Sequence, residues 1–350
     1  MFWVTDDVRI EALKPLVPPA ILMEELPLTN KAAEIVSKAR SETAACIHGK
    51  DNRLVVITGP CSIHDSDAAK EYAEKLKEQA DRFSDELLII MRVYFEKPRT
   101  SIGWKGLIND PFIDETFQIN KGLRIARELL VHLANMGLPA GCEFLDTIIP
   151  QFIADLVSWG AIGARTTESQ IHRELASGMS CPIGFKNATN GNTQIAADAI
   201  EAAKHPHHFL SVTKQSVAAI VTTKGNRNCH VILRGSDNGP NYDDVSIQHT
   251  VSQLQKQNHL SRIMIDCSHG NSRKIPENQL KVAAEIAAML ETGNSPIFGI
   301  MLESSLVAGN QKVIPGEKLT YGQSITDACI GWEDTVSTLE MLAKSIKQSR

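Results

Sequence analysis

The fold class predicted by this chain of 350 residues is a closed (β/α)8 barrel, and three observations predict it. Short apolar runs alternate with helical stretches along most of the length. The runs are continuously apolar, as in Leu-Leu-Ile-Ile-Met at 87–91, which suits parallel strands buried on both faces. At least eight of them close on a charged residue, a histidine or a cysteine, at or near Cys61, Arg92, Glu143, Arg165, Lys186, Arg234, Asp266 to His269, and Glu303. A barrel builds its active site in this way, with reactive groups at the C-terminal ends of its strands.

Taken in order, residues 1–50 form an extension, broken at Leu16-Val-Pro-Pro19 and followed by an amphipathic helix over Asn30–Ile47. The barrel proper occupies 51–350. Strands are predicted at Leu54–Ile57, Leu87–Val93, Pro139–Leu145, Ala161–Arg165, Ile183–Lys186, His230–Arg234, Ile263–Cys267 and Ile297–Leu302. Helices are predicted at Ala68–Gln79, Phe117–Asn135, Gln151–Trp159, Ser169–Ala176, Thr193–Ala203, Ser246–Gln257, Glu277–Glu291 and Trp332–Lys347. Gly137 stops the second of these. Phe209–Thr213 and Ala218–Thr223 do not fit the alternation and read as an inserted hairpin over about 208–223.

Composition narrows the function. Hydrophobic residues make up 43% and charged ones 22%, which is globular. A net charge of −5 argues against a general nucleic-acid binder. The seven cysteines are odd in number and widely spaced, with no CxxC, so neither a disulfide framework nor a zinc knuckle is indicated. A reducing cytoplasm is the expected compartment. Asp6, Asp7, Arg9, Glu11 and Lys14 leave no uncharged signal-peptide core. No apolar stretch approaches the roughly 20 residues of a membrane span.

Two sets of strand-end residues carry chemistry. Cys61, His269 and Glu303, with Asp327 in the loop Ser324-Ile-Thr-Asp327, combine thiolate, imidazole and carboxylate. That mixture suits Mn, Fe, Co or Zn better than Mg. Alone, such a cysteine is a small buried hydrophobe; together on one rim the four predict one divalent metal ion per subunit. The second set is Arg92, Lys97, Arg99, Arg165, Lys186 and Arg234. Charges placed after apolar strands need anionic partners, and arginine forks match phosphate and carboxylate. The set is large enough for two anionic substrates. Lys186 could instead form a Schiff base with a carbonyl compound. Lys97-Pro-Arg-Thr100 offers a phosphate grip on a turn fixed by Pro98, and Gly103 to Pro111 reads as an ordered loop over the site.

At this level of detail the chain resembles a family. Gly59-Pro-Cys-Ser-Ile-His-Asp65, Met91 to Thr100, Gly103 to Asp110, Gly160 to Ser169, Gly184-Phe-Lys-Asn187, Asp266-Cys-Ser-His-Gly-Asn-Ser272 and Gly322 to Cys329 are similar to the type I 3-deoxy-D-arabino-heptulosonate 7-phosphate (DAHP) synthases. The resemblance covers essentially the whole chain. It implies condensation of phosphoenolpyruvate, erythrose 4-phosphate and water to DAHP and phosphate, the first step of the shikimate pathway. It implies Cys61, His269, Glu303 and Asp327 as metal ligands. It implies Arg92, Lys97, Arg165, Lys186 and Arg234 around phosphoenolpyruvate with Glu143 beside them, and Arg99 and Thr100 on the aldose phosphate. Either Glu143 or a water near Lys186 would serve as general base. Two departures stand out: Ala188-Thr-Asn-Gly191 where the family often reads Gly-Thr-Asp-Gly, and Ser236 with an extra residue near Asp237–Gly239. The other readings are a phosphoenolpyruvate-condensing synthase for a different aldose phosphate and a non-catalytic phosphometabolite sensor.

The resemblance also implies feedback inhibition by an aromatic amino acid. The matching positions are Pro150, Gln151, Leu175, Met179, Ser180, Phe209, Ser211 and Val221, with Asp6 and Asp7 from a neighbouring subunit. Tyrosine-sensitive members tend to have glycine where this chain has Ser211. The serine hydroxyl fills the space of a tyrosine ring oxygen, which implies phenylalanine. The extension carries Phe2, Trp3, Val17 and Ile21, and apolar residues on an arm seek a partner surface. A homodimer or a tetramer is therefore expected, with no nucleic acid or membrane partner.

Overall fold

The computed structural model describes residues 3–99 and 101–350; Phe2 and Thr100 lie outside them. Two helices precede the barrel, α1 Pro19–Glu25 and α2 Asn30–Ile47. The first corrects the reading of Leu16-Val-Pro-Pro19 as a break: Pro19 begins a helix, at a position whose N–H has no intrahelical partner to lose. Then follow β1 Leu54–Gly59, α3 Ser66–Arg82, β2 Leu87–Arg92, α4 Ile119–Met136, β3 Ala140–Glu143, α5 Pro150–Ile153 with a 3-10 turn Ala154–Leu156, and β4 Trp159–Ile162. The chain continues through α6 Gln170–Gly178, β5 Ile183–Lys186, α7 Gln194–Lys204, the hairpin β6 His208–Val212 and β7 Ala218–Thr222, β8 Cys229–Leu233 and α8 Asp244–Lys256. It closes with β9 Ile263–Asp266, α9 Asn278–Glu291, β10 Ile297–Glu303, the short pair β11 Val307–Asn310 and β12 Gln323–Ser324, and α10 Trp332–Gln348. Helix α1 and strands β11 and β12 have no counterpart among the predicted elements. Among the described residues, no helix is long and apolar enough to cross a membrane.

Eight strands form a closed barrel in the order β1-β10-β9-β8-β5-β4-β3-β2, every pair parallel. Helix starts are fixed locally. Thr29 accepts from the Ala32 N–H, Asp65 from Asp67 and Ala68, and Asp243 from Ser246. Gly137, at φ +94°, ends α4 in the left-handed conformation.

The strands are apolar on both faces, and alternate residues enter two separate cores. Leu54, Val56, Leu87, Ile89, Val231 and Leu233 pack outward against the helices. Val55, Ile57, Leu88, Ile90, Trp159, Ala161, Ile232, Met264 and Met301 fill the barrel, with Cys46 and Ile47 from α2 and Phe298. A register irregularity between Ile297 and Gly299 lets both Phe298 and Met301 belong to the inner set. The inner parity continues to Arg92, Lys186, Arg234, Asp266 and Glu303, two residues beyond an inner position on each strand.

The region after β3 departs from expectation. A helix through Trp159 and a strand at Ala161–Arg165 were predicted. The strand instead begins at Trp159, and Arg165 stands in a turn beyond it. The Trp159 ring is needed inside the barrel: its Nε1–H donates to His230 Nε2 at 2.9 Å, and its plane lies at 29° to that imidazole. Phe298 meets His230 edge-on. Burial pushes His230 down to about 4, which keeps it the neutral acceptor this contact requires.

The hairpin pairs only with itself, Phe209 opposite Val221 and Ser211 opposite Ala219. Those four are half-buried, whereas Leu210 and Ile220 on the other face are 86% and 75% exposed. Its turn is tied down by Lys214. The carbonyl of Lys214 accepts from Ala20, and its Nζ donates to the carbonyl of Gln151.

Candidate active site

The strand-end residues converge on a cavity of ≈ 610 Å³ at the C-terminal mouth of the barrel. Arg92, Lys97, Arg99, Glu143, Arg165, Lys186, Arg234, His269 and Asp327 all line it. Gly163 belongs there for a steric reason: a Cβ on it would come within 2.4 Å of Glu143 Oε1.

On one side, Cys61 Sγ and carboxylate oxygens of Glu303 and Asp327 lie within 4.8 Å of one another. Their supports come from several elements. Gln279 of α9 receives the Glu303 N–H and donates to the Glu303 carbonyl, and Ser268 Oγ donates to Glu303 Oε2. Ser62 and Thr326 share a 2.7 Å hydrogen bond that joins the Cys61 and Asp327 loops. Burial alone would push the Glu303 carboxyl up, but His269 and Arg92 outweigh it and hold the carboxyl at about 2. Burial and then Glu303 push the Cys61 thiol up.

His269 stands outside this group of three but next to it, its Nε2 3.8 Å from Glu303 Oε1. Two donors bound to one ion at about 2.1 Å each are separated by about 3–4 Å, so the spacing is compatible with a shared ion. The other nitrogen, Nδ1, is 2.9 Å from Asp266 Oδ2. Neither Nδ1 nor Glu303 Oε1 has a well-aligned hydrogen-bond partner, although both are buried. The thiol, imidazole and carboxylates gathered here, soft and hard donors together, fit a divalent cation. The carboxylate behind the imidazole is the usual arrangement for orienting a ligating histidine.

Asp266, a strand end in the sequence, is central to the site. It is fully buried and lies 2.9 Å from Lys186 Nζ as well as from His269. Burial opposes its ionisation, but His269 and Lys186 overcome that and hold its carboxyl well below the usual range. Lys186 is thus committed to an ion pair and does not stand as a free amine poised for Schiff-base chemistry.

The remaining cations divide into two kinds. Arg92 is spent on the protein: Nε on Pro60 O, Nη2 on Cys61 O and 2.9 Å from Glu303, and its guanidinium 3.5 Å above the Tyr94 ring. Lys97 Nζ donates to Cys61 Sγ at 3.0 Å, and Arg99 Nε to Trp104 O at 2.8 Å. Arg165 and Arg234, by contrast, line the cavity with no carboxylate in ion-pairing distance among the described residues. Asn187 fixes the Arg234 strand end by accepting its N–H and donating to Gly235 O. Thr189, Asp237 and Lys274 also line the cavity and were not anticipated. They lie in loops, where strand periodicity gives no signal.

The residues expected around an inhibitor lie on the flank of the barrel. Pro150 and Gln151 open α5, Leu175 is buried on α6, and Met179 and Ser180 follow it. Phe209, Ser211 and Val221 share the half-buried hairpin face, and Lys214 joins that hairpin to Gln151. Asp6 and Asp7 are on the exposed arm.

The profile of the DAHP synthetase I family matches residues 26–340. The Phe-sensitive phospho-2-dehydro-3-deoxyheptonate aldolase of Escherichia coli K12 is 55% identical over 350 residues, covering 100% of both chains. The phenylalanine-inhibited enzyme of Saccharomyces cerevisiae is 53% identical over 352 residues, covering 99% of this chain and 95% of the yeast one. The solved structure of the Francisella tularensis SCHU S4 phospho-2-dehydro-3-deoxyheptonate aldolase superposes with a TM-score of 0.95 at 56% identity, covering 97% of this chain and 99% of that one.

Proposed function

The chain belongs to the DAHP synthetase I family, and on that premise we propose that the cavity at the barrel mouth is where its residues carry out the family's condensation. It is an enzyme of the first shikimate step, joining phosphoenolpyruvate to erythrose 4-phosphate with water to give DAHP and phosphate. The observation that carries the site assignment is that Asp327 and His269 line the same cavity as two uncommitted arginines, with Cys61 and Glu303 grouped on Asp327 at its wall.

Arg165 and Arg234 hold the phosphate of phosphoenolpyruvate, and Lys186 its carboxylate. Arg92 contributes charge but acts chiefly by fixing the Cys61 backbone and Glu303. Lys97 stands on the phosphoenolpyruvate side, and Arg99 with Thr100 receives the aldose phosphate. Cys61, Glu303 and Asp327, completed by His269, would hold one divalent ion of the Mn, Fe, Co or Zn type, which supplies polarisation of the aldehyde carbonyl when bound. The cations keep two mutually repelling anions in contact and bring C3 of the enol to the aldehyde carbon. The aldehyde oxygen takes up a proton and becomes the new hydroxyl, while Glu143, which faces the same space, takes the proton of the water that adds at C2. The C–O bond to phosphate then breaks.

Regulation belongs to the flank. The hairpin face with Phe209, Ser211 and Val221, together with Pro150, Gln151, Leu175, Met179 and Ser180, receives an aromatic amino acid, phenylalanine in preference to tyrosine. A second copy of the chain covers the bare Leu210 and Ile220 face and brings Asp6 and Asp7 to the inhibitor, making residues 1–50 a regulatory extension of a dimer or tetramer.

The test is phosphoenolpyruvate consumption with erythrose 4-phosphate, after chelation and after return of Mn. Activity that vanishes on chelation and returns with the ion supports the ligand set. Activity that survives chelation removes the metal from the reading.

A further inference from the structure

The cavity does not end at Arg234. A second hollow of ≈ 400 Å³ opens between the turns 235–239 and 269–274. Arg234, Asp237, His269 and Lys274 line both spaces, so the two are adjacent, and the second adds Arg273. Neither Arg273 nor Lys274 pairs with a carboxylate among the described residues, and both are exposed. Asp237 is the only acid lining the second hollow, against three cations.

The backbone that presents these cations is unusual. His269, Arg273 and Lys274 have φ of 52°, 55° and 60°, a region that residues with side chains seldom occupy. Hydrogen bonds hold the turn in that shape: Lys274 N–H to His269 O at 2.9 Å and Arg273 N–H to Gly270 O at 3.2 Å. The neighbouring turn interlocks with it, since Gly270 N–H donates to Arg234 O and a Cβ on Gly235 would fall 2.4 Å from Asn271 N. Strain kept at the rim of a site, with free cations on it, points to a role for those cations.

We propose that Lys274 and Arg273 form an exit subsite for a phosphate dianion, which receives the inorganic phosphate cleaved from phosphoenolpyruvate as it leaves Arg165 and Arg234. The inference rests on the assignment of those two arginines to the phosphate. A dianion held by two arginines, Arg234 buried and Arg165 exposed, departs slowly unless its charge is met again on the way out. Lys274, which lines both spaces, provides that second contact, and the solvent-facing Arg273 comes next. Product release limits turnover in many enzymes, and where it does such a step appears in turnover.

The chemistry recognised is a phosphate dianion, and the test separates its two sources. Lys274→Met, the double variant Arg273→Met with Lys274→Met, and Lys274→Arg are compared with the parent. Calorimetric titration with inorganic phosphate alone reads binding without turnover. Steady-state kinetics read the phosphate inhibition constant and both KM values. Loss of Lys274 should weaken phosphate binding and raise its inhibition constant about tenfold, further in the double variant, with recovery in Lys274→Arg and an unmoved KM for erythrose 4-phosphate. Phosphate binding that is equal in parent and Lys274→Met overturns the proposal. A rise only in the KM for erythrose 4-phosphate overturns it too, since the subsite would then serve the aldose phosphate. A parent that makes no DAHP refutes the underlying assignment instead, before any variant is compared.

Discussion

Glu96 shows how a single buried side chain can tie stability to pH. It precedes Lys97 and accepts from the N–H of Asp146 at 2.9 Å and of Leu145 at 3.3 Å. Burial outweighs those two bonds and pushes its carboxyl from 4.5 up to about 8. Between these two values the unfolded chain binds fewer protons than the folded one, so stability falls as pH rises through that window and levels off above it. Glu96→Gln keeps an acceptor and removes the charge. The variant is predicted to be slightly less stable than the parent near pH 5 and more stable near pH 8.5, the difference shifting by about 2–4 kcal/mol. Urea midpoints at the two pH values check this, and parallel behaviour of the two proteins would refute it. Neither Glu96 nor the pairing of Asp266 is read from the sequence. Both are carboxylates among apolar neighbours, and each acts by holding something else: a backbone turn in one case, Lys186 and His269 in the other. The residues with legible roles, Arg165 and Arg234, are those left free for a ligand.

At the scale of elements, the barrel was legible because each strand ends where its apolar run meets a charge. The inward parity that selects among those charges can be counted from Ile90 to Arg92 or from Ile232 to Arg234. It was harder to see after β3, where the Trp159 ring must reach His230 and so pulls the strand start forward of the apolar run at 161–163. The pair β11 and β12 was not legible at all: two strands of four and two residues lie below the length at which alternation can be read. The hairpin was legible from its β-rich composition, and its pairing sets up a direct test. Ser211 faces the half-buried side opposite Ala219 and two residues from Phe209. Ser211→Gly removes a hydroxymethyl group from that face and makes room for a phenolic oxygen. The ratio of half-inhibiting concentrations for tyrosine over phenylalanine is predicted to fall about tenfold, with uninhibited turnover retained. Inhibition curves for the two amino acids measure it, and an unmoved ratio would place the selectivity elsewhere.

The whole molecule has two unlike ends and a loose arm. The N-terminal mouth of the barrel is closed by apolar and aromatic packing, Trp159 on His230 and Phe298 with Cys46 and Ile47 nearby, while the C-terminal mouth carries the charges. The arm belongs to neither. Its last fixed points are Pro15 and Val17, whose carbonyl and N–H bond to the Asn120 side chain at 3.1 and 2.9 Å. Before them, Trp3, Val4, Val8, Ile10 and Leu13 are all exposed, as are Asp6 and Asp7. Apolar residues at this density on an uncovered segment mark a contact surface, and in the assembly proposed above the Leu210 and Ile220 face of a second copy receives them. Removing residues 1–14 deletes that contact and the two aspartates while leaving the Asn120 bonds and every barrel strand intact. Inhibition by the aromatic amino acid should then weaken at least about tenfold, while kcat without inhibitor stays within about twofold of the parent. The sedimentation coefficient should drop toward that of a smaller assembly, because the buried arm surface is lost. Inhibition and assembly size both unchanged in the truncated protein would mean that the flank pocket is complete within one chain, and the arm would lose its regulatory role.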